Sequence, residues 1–552
     1  MTVTRRALLA AGAAALPLAL PALATPAGAA PFLATPLLAT AFGYTSSGGY
    51  YTVSTGAGLS FKISQSNGDM VSLNYNGTEL QPSGTKGSHV ESGLGSGATV
   101  TATQNGSYVI VSASVGNWYG SGTLVHYYVA ASGQNTVYMA TYVDSSGGGE
   151  LRWIQYLNRS VLSNINVPSD VNGGTAIEST DIDLVGGQTR SKYYSNRRAL
   201  ELTTRGVTGS GIGVFMAYGN RESSAGGPFF RDIEQQGTSA SVELYNYLYS
   251  AHNQTEGQRL GVLYGPYALI VAGTGTPATP DMSFMYGLGL RGAVANSGRG
   301  YVQGKAQGVA NLSQATVGFA NSGAQYWCRP DASTGNFSSP MMKPGTYTQT
   351  LYQNELAVAT RTVTVSAGAA TTGQNITSSW YTPAAPLFRI GDWDGTPSAF
   401  KNAGNLTFMH PSDSRMASWG PTTYTVGSSQ PSDFPAYQWK DVNNPTTVRF
   451  SLTSGQLADR TVRIGITAAY AGGRPQISVN NWTSSAPSAS GQPSSRSLTI
   501  GTYRGNNTLF TYAVPASAFV AGTNTLTITV ISGSSGTGYL SPGMAYDCVE
   551  LY

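Results

Sequence analysis

The chain has 552 residues, of which only 10% are charged, and its formal net charge is +4. A chain of this length is too long for one hydrophobic core, so we expect two to four domains. No recognised nucleic-acid module or lysine-rich run accompanies the small net charge, so we expect no nucleic-acid partner. The 69 glycines and 33 tyrosines favour β-structure with many turns.

Residues 1–30 have the pattern of a secretory signal peptide. A basic start that includes Arg5-Arg6 precedes an Ala/Leu-rich run, and Ala27-Gly28-Ala29 is a suitable cleavage site. The paired arginines favour a twin-arginine signal over a general one. We therefore expect a secreted, extracellular protein in which residues 31–41 form a flexible lead-in. No later segment has the roughly 20 apolar residues of a membrane span, so no membrane association is expected.

Alternating apolar residues and frequent turn residues predict an all-β chain with three domains. Residues 42–275 predict a large N-terminal β-sandwich, with turn signals such as Asn76-Gly77 between short strands. Residues 273–277 (GTGTP) predict a linker, and residues 284–370 predict a small Ig-like or fibronectin-III-like sandwich. Residues 380–552 predict a carbohydrate-binding-like jelly roll.

Cys328 and Cys548 are the two cysteines of the chain. They fall in different predicted domains, so we expect buried thiols rather than a disulfide.

Half of the eight tryptophans lie from Phe388 onward in the third predicted domain, at Trp393, Trp419, Trp439 and Trp482. Exposed rings would stack on sugars, whereas buried rings would fill the core of the jelly roll. We expect about half of them to be buried.

Two segments contain the residue types that chemistry on an acidic polysaccharide needs. Residues 190–198 (RSKYYSNRR) carry four cations and no acid, which favours binding of a polyanion. Residues 243–256 (ELYNYLYSAHNQTE) supply tyrosines for packing on sugar rings and one of four histidines. A basic side chain among them could accept a proton.

Together with residues 149–154 (GELRWI) and 391–397 (GDWDGTP), these segments resemble the fungal type of rhamnogalacturonan lyase, polysaccharide lyase family 4. The resemblance extends from about residue 42 to residue 552, with the motifs in the family's order. It implies a catalytic β-super-sandwich and a secreted endo-acting lyase. Such an enzyme cleaves the rhamnogalacturonan I backbone of pectin by β-elimination at galacturonate and leaves a 4,5-unsaturated end. The implied partner is this acidic plant cell-wall polysaccharide, and we expect a monomer.

The resemblance also implies site residues. Lys192 and His252 match the family's catalytic lysine and histidine, and Arg152, Tyr245 and Tyr247 match positions that line its substrate site. We add Arg190 to the substrate-binding set, because the cations of its segment can hold the carboxylate of the substrate. Arg190, Arg152 and partial burial would also disfavour the charged form of Lys192 and so favour its action as a base.

A lyase of this type must neutralise the galacturonate carboxylate, remove the proton at C5 and assist departure of the oxygen at C4. Calcium would need a cage of Asp and Glu oxygens, which residues 190–198 lack, so we expect protein cations and no catalytic cofactor. His252 would protonate the leaving oxygen or bind the carboxylate as imidazolium. A structural calcium ion in the third domain stays open, because Asp392 and Asp394 alone do not define a site.

Two other classes of function remain open from the residues alone. A pectin-directed glycoside hydrolase would need two opposed carboxylates, for which Glu150, Asp232, Glu234 and Glu256 are available. A non-catalytic polysaccharide-binding protein would need only the cations and tyrosines. Unsaturated uronate ends would distinguish a lyase from both.

The other histidines and arginines have simpler interpretations. We expect His126 and His410 to be hydrogen-bonded structural residues, and His89 to be a subsite residue. Arg197 and Arg198 are expected to be solvated or paired with Glu201.

Strand geometry adds one condition. Side chains alternate along a strand, so one regular strand over residues 242–252 would place Tyr245 and Tyr247 opposite to His252. A bulge or strand end near Ser250-Ala251 is therefore expected.

Overall fold

The computed structural model describes residues 41–84, 86–493 and 495–552. The predicted export signal and the lead-in up to residue 40 lie outside the described residues. Within the described ranges, strands are the main element and every helix is a 3₁₀ helix of three to five residues. The all-β prediction is therefore confirmed. None of the helices in these ranges is long and apolar enough to cross a membrane.

Strands β1 to β21 belong to the first predicted domain. In chain order they are β1 Gly43–Ser47, β2 Tyr50–Ser54, β3 Leu59–Ser64, β4 Met70–Tyr75, β5 Thr78–Glu79, β6 His89–Val90, β7 Thr99–Asn105, β8 Tyr108–Trp118, β9 Gly122–Ala131, β10 Thr136–Val143, β11 Leu151–Asn158, β12 Thr175–Glu178, β13 Ile182–Val185, β14 Gln188–Arg190, β15 Arg197–Arg198, β16 Thr204–Thr208, β17 Gly213–Ala217, β18 Arg231–Asp232, β19 Gln235–Gly237, β20 Ser241–Tyr249 and β21 Val262–Ala272. The 3₁₀ helices of this part are Val167–Ser169, Lys192–Ser195, Ala199–Glu201 and Ser283–Gly287.

Three of its sheets share one hydrophobic core, which makes this part a large sandwich. They are a five-stranded sheet β1-β2-β3-β4-β5, a seven-stranded sheet β16-β17-β21-β10-β9-β8-β7 and a four-stranded sheet β19-β20-β11-β6. Asn76 and Gly77 both have positive φ in the turn between β4 and β5, which confirms the turn predicted there.

The outer face of the seven-stranded sheet is also covered. Every residue of β10 is buried, because Met282, Met285 and Leu290 pack on the face that points away from the main core. We expected the second domain to begin at residue 284, but this segment packs against the first sandwich. The predicted domain boundaries otherwise stay predictions.

The four-stranded sheet positions the candidate site. Alternation along β11 directs Trp153 and Leu157 into the core and places Arg152 and Ile154 on the opposite face. In the antiparallel pairing of β11 with β20, Arg152 lies opposite Tyr247. A small cluster that includes residues of β13 and of the helix Lys192–Ser195 covers this second face.

Strands β22 to β29 form two sheets that pack as a small sandwich, ordered β25-β22-β28, with β29 beside β22, and β24-β23-β26-β27. In chain order they are β22 Tyr301–Gln307, β23 Ala315–Ala320, β24 Gln325–Cys328, β25 Asn336–Ser338, β26 Gly345–Gln353, β27 Leu356–Val365, β28 Ala370–Thr371 and β29 Ile376–Thr377. The 3₁₀ helices here are Asn296–Gly298 and Leu312–Gln314.

Strands β30 to β39 form two further sheets, β30-β39-β34-β37, with β32 beside β39, and β31-β33-β38-β35-β36. In chain order they are β30 Phe388–Gly391, β31 Thr422–Thr425, β32 Tyr437–Trp439, β33 Thr446–Leu452, β34 Arg460–Tyr470, β35 Arg474–Val479, β36 Trp482–Thr483, β37 Thr508–Val514, β38 Gly522–Ile531 and β39 Gly543–Leu551. The 3₁₀ helices here are Ala403–Asn405, Pro431–Asp433, Ser454–Gln456, Ser497–Ile500, Ala516–Ala518 and Gly538–Leu540.

The tryptophans of this last part contribute to hydrophobic packing, and Trp393 belongs to the core of the small sandwich of β22 to β29. Trp393 and Trp439 are buried, which matches the expectation that about half are buried. Trp419 and Trp482 are half-buried and pack against the hydrophobic core between the two sheets. Four exposed stacking rings are therefore not present.

The two cysteines are free thiols, as predicted. Cys548 is buried, whereas Cys328 is half-buried.

Candidate active site

Lys192 is held by the local structure that precedes it. The Ser191 hydroxyl accepts a hydrogen bond from the Tyr193 amide at 3.2 Å, which caps the helix Lys192–Ser195. The same hydroxyl donates to the Asp181 carbonyl at 2.6 Å. These two bonds tie the helix to the turn before β13, and the Lys192 Nζ lies 3.1 Å from Asp181 Oδ1.

His252 reaches the same face of the sheet because β20 ends before it. The strand stops at Tyr249, and Ala251 adopts a left-handed conformation with φ of 59°. The predicted strand end is thus confirmed. In this position, His252 Nε2 lies 2.5 Å from Glu150 Oε1.

Glu150 connects His252 to Arg152. Its second carboxylate oxygen forms an ion pair with Arg152, which in turn donates to the Tyr247 hydroxyl at 2.7 Å. Burial raises the pKa of Glu150, but the hydrogen bond from His252 and the charges of Arg152, His252 and Lys192 outweigh it. The pKa of Glu150 is therefore below its ordinary value, which keeps this carboxylate ionised.

Tyr193 separates the two candidate catalytic residues. Its ring centroid lies 5.5 Å from Lys192 Nζ and 6.1 Å from the centroid of the His252 ring. Burial raises the pKa of the Tyr193 hydroxyl to about 12, so this group is neutral near pH 7. The exposed edge of the site consists of His252, whose side chain is 41% exposed, and of the less exposed Lys192 and Arg152.

The two tyrosines of β20 lie beneath this edge. Tyr245 is 4% exposed and Tyr247 is 1% exposed, so neither ring is free to stack on a sugar. The expectation that these rings pack on sugars is therefore wrong. The Tyr245 hydroxyl donates to Glu243, and the Tyr247 hydroxyl accepts from Arg152. Both tyrosines thus support the charged groups from below.

The cations of residues 190–198 point to different partners. Arg190 donates to the Val167 carbonyl and, at 2.9 Å, to Gln188 Oε1, and these contacts lie outside the Lys192 and His252 cluster. Arg198 pairs with Glu201, as expected. Residues 190–198 contain no acid in sequence, but in the folded protein Asp181 forms an ion pair with Lys192.

The remaining histidines have structural environments. His126 is buried, stacks on Trp153 and hydrogen-bonds Thr141, and burial lowers its pKa to about 3. Buried His410 lies 3.0 Å from a Glu178 oxygen. His89 is also buried, and burial lowers its pKa to about 4.

The carboxylates considered for a hydrolase are not arranged as a free pair. Glu150 is engaged by His252 and Arg152, and Glu256 pairs with Arg259. Asp232 and Glu234 are buried, and burial raises their pKa values to about 7 and about 8. Across the described residues, no group of three or more His, Cys, Asp or Glu side chains is placed to hold a metal ion.

Three residues that the sequence analysis did not assign to the lyase site complete it: Glu150, which was considered only as a hydrolase carboxylate, Asp181 and Arg496. Glu150 lies within the GELRWI motif, immediately before β11 and two positions from Arg152, so the motif itself was an available signal. No sequence motif around Asp181 marked it as a site residue. Arg496 lies more than 300 residues beyond Lys192, yet its Nη2 is 3.3 Å from Asp181 Oδ2.

Comparisons with known proteins agree with this architecture. Family models match residues 42–292 ("Rhamnogalacturonan lyase B, N-terminal"), 298–373 ("Polysaccharide lyase family 4, domain II") and 386–551 ("Polysaccharide lyase family 4, domain III"). Rhamnogalacturonate lyase A of Aspergillus aculeatus is 48% identical over 519 residues, which cover 93% of this chain and 96% of that protein. A putative rhamnogalacturonase of Neurospora crassa is 44% identical over 527 residues, with the same coverage of both chains.

Proposed function

Because the chain belongs to polysaccharide lyase family 4, we propose that it cleaves the rhamnogalacturonan I backbone of pectin internally, by β-elimination at galacturonate. The proton at C5 leaves, a double bond forms between C4 and C5, and the bond from C4 to the glycosidic oxygen breaks. The new non-reducing end is then a 4,5-unsaturated galacturonate. The observation that carries the proposal is that Lys192 and His252 flank Tyr193 on one exposed edge, each held by a carboxylate.

Lys192 acts as the base that removes the C5 proton. Its side chain is 21% exposed and projects from a capped helix, so it is both accessible and fixed in place. Asp181 pairs with the amine, and Lys192 must be neutral before it accepts a proton from the substrate. Asp181 therefore orients the amine in the resting enzyme.

His252 acts as the acid that protonates the departing oxygen at C4. The ionised Glu150 accepts a hydrogen bond from Nε2 and so orients the ring that delivers the proton. The exposure of the imidazole edge allows its other nitrogen to approach the substrate.

Arg152 neutralises the galacturonate carboxylate. Removal of the C5 proton places negative charge beside that carboxylate, and a fixed guanidinium stabilises it. Arg152 is held by Glu150 and Tyr247, so its orientation is set before the substrate binds. No step of this scheme requires a metal ion. We infer that the enzyme acts outside the cell, on plant wall polysaccharide.

The test is the product formed by the purified protein on rhamnogalacturonan I. Ultraviolet absorbance of unsaturated ends should increase, and viscosity should fall early because cleavage is internal. Lys192→Arg and Lys192→Ala should lose activity to a similar extent, by about 10²–10⁴-fold, because arginine retains charge but cannot accept the proton. Substrate binding should survive better in the arginine variant.

A matched control is Lys62→Arg at an exposed position of β3, which should keep full activity. Saturated ends from the pure enzyme would overturn the lyase proposal. Substantial turnover by Lys192→Arg would instead transfer the role of base to His252.

A further inference from the structure

A segment of the third predicted domain packs directly on the helix that carries Lys192. The Tyr194 hydroxyl donates to the Thr499 carbonyl at 2.8 Å, and the Asn196 amide donates to the Gly501 carbonyl at 3.0 Å. Gly501 has φ of 68°, and a Cβ at this position would lie 3.1 Å from the Tyr193 carbonyl oxygen. Only glycine suits that close approach, so the fit between the two parts is tight.

Arg496 begins this segment and bridges two carboxylates of the first sandwich. Its Nη1 lies 2.7 Å from Glu178 Oε1, and its Nη2 lies 3.3 Å from Asp181 Oδ2. Its guanidinium carbon is also 5.9 Å from the centroid of the Tyr193 ring. Glu178 ends β12 and Asp181 immediately precedes β13, so Arg496 fixes the turn between these strands.

Asp181 is consequently shared by two cations. Oδ1 faces Lys192 and Oδ2 faces Arg496. Burial raises the pKa of Asp181, but the charges of Lys192 and Arg496 outweigh it and lower the pKa. The carboxylates of Glu150 and Glu243 also act on Lys192 from the sheet below. Arg496 therefore offsets Asp181, the acid that pairs with the base, whereas Arg152 pairs with Glu150.

We propose that Arg496 is a positioning residue of the active site, supplied by the third domain. It fixes the position of the Asp181 carboxylate beside Lys192. Its positive charge also weakens the attraction between Asp181 and the Lys192 proton, because both cations interact with the same carboxylate. The third domain thus completes the catalytic site, beyond any role in carbohydrate binding. This inference rests on the proposed role of Lys192 as the base.

Substitution of Arg496 tests the inference in the full-length protein. Arg496→Gln should lower kcat by about 10–100-fold, the effect of losing charge-assisted hydrogen bonds. It should also move the rising limb of the kcat–pH profile to higher pH, since Asp181 would then hold the Lys192 proton alone. KM should change much less than kcat. Arg496→Lys should recover part of the activity and of the pH shift, because its charge is retained while only one bridge can form.

Arg415→Gln is the matched control at the same interface. Arg415 donates to both carboxylate oxygens of Asp413, one of which also accepts from the Thr189 amide at 2.7 Å, but it does not contact Asp181 or Lys192. This variant should leave the pH profile unchanged. An equal shift in both variants would reduce Arg496 to an interface residue and overturn the inference, as would a raised KM with unchanged kcat.

A second readout separates this inference from the proposed function. The pH dependence of Lys192 acylation by an amine-directed reagent, measured by peptide mass spectrometry, reports the proton on Lys192 without any turnover. Arg496→Gln should move this curve to higher pH. An unmoved curve overturns the inference even if the wild-type enzyme makes unsaturated product. A moved curve with no unsaturated product supports the electrostatic link while the lyase proposal fails.

Discussion

Glu150→Gln isolates the contribution of the carboxylate that links His252 to Arg152. The amide has almost the same size and shape, so packing is retained, but its nitrogen cannot accept a hydrogen bond. In the wild type, Glu150 accepts a hydrogen bond from His252 at 2.5 Å and pairs with Arg152 through its other oxygen. Glutamine can keep only one of these two interactions and removes the negative charge from both.

The size of the effect follows from these contacts. A hydrogen bond to a charged group contributes about 1.5–3 kcal/mol, and about 1.4 kcal/mol corresponds to a tenfold change in rate. The side chains of Glu150 and His252 are 19% and 41% exposed, so solvent reduces the electrostatic part. We therefore expect kcat to fall by roughly 10–100-fold. The falling limb of the pH profile should move to lower pH, because imidazolium loses its anionic partner.

The assay is the initial rate of unsaturated-end formation across pH, with thermal unfolding to show that the variant is folded. Glu201→Gln is the control, since it removes an acid of the same type that pairs with Arg198 at the surface. That variant should match the wild type, because a surface pair contributes little. A Glu150→Gln enzyme with a wild-type rate and an unmoved pH profile would refute the assignment of Glu150 to His252.

Two further predictions concern metal and stability. Exhaustive chelation should leave backbone turnover within about twofold of the untreated enzyme, because the proposed scheme neutralises the carboxylate with Arg152 and without a metal ion. A loss of activity that calcium restores at unchanged folding would contradict this. Burial raises the pKa values of Asp232 and Glu234 to about 7 and about 8, above those of the unfolded chain. The native state then binds more protons, so their stabilisation is complete at low pH and is lost as pH rises from about 4 to 8. Glu234→Gln should reduce this pH dependence in urea unfolding measured between pH 5 and 8.5, and an unchanged dependence would contradict the buried, protonated state.

Local rules account for much of what the sequence predicted correctly. Alternation and Asn-Gly turns predicted an all-β chain, because a strand exposes its period of two in the sequence. The same period placed Tyr245 and Tyr247 on one face and required the strand to end before His252, as the left-handed Ala251 confirms. The resemblance to the family assigned Lys192, His252 and Arg152 to one site from the sequence alone.

Only the tertiary structure decided what lies over and beside each of these side chains. Periodicity indicates the face of a strand but not what covers that face, so the burial of Tyr247 and the separate contacts of Arg190 were not predictable. Ion-pair partners are chosen by distance in space, and Asp181 and Arg496 come to Lys192 from different parts of the chain. The sequence thus determined which residue types could carry out a β-elimination, whereas long-range packing determined the charges that surround them.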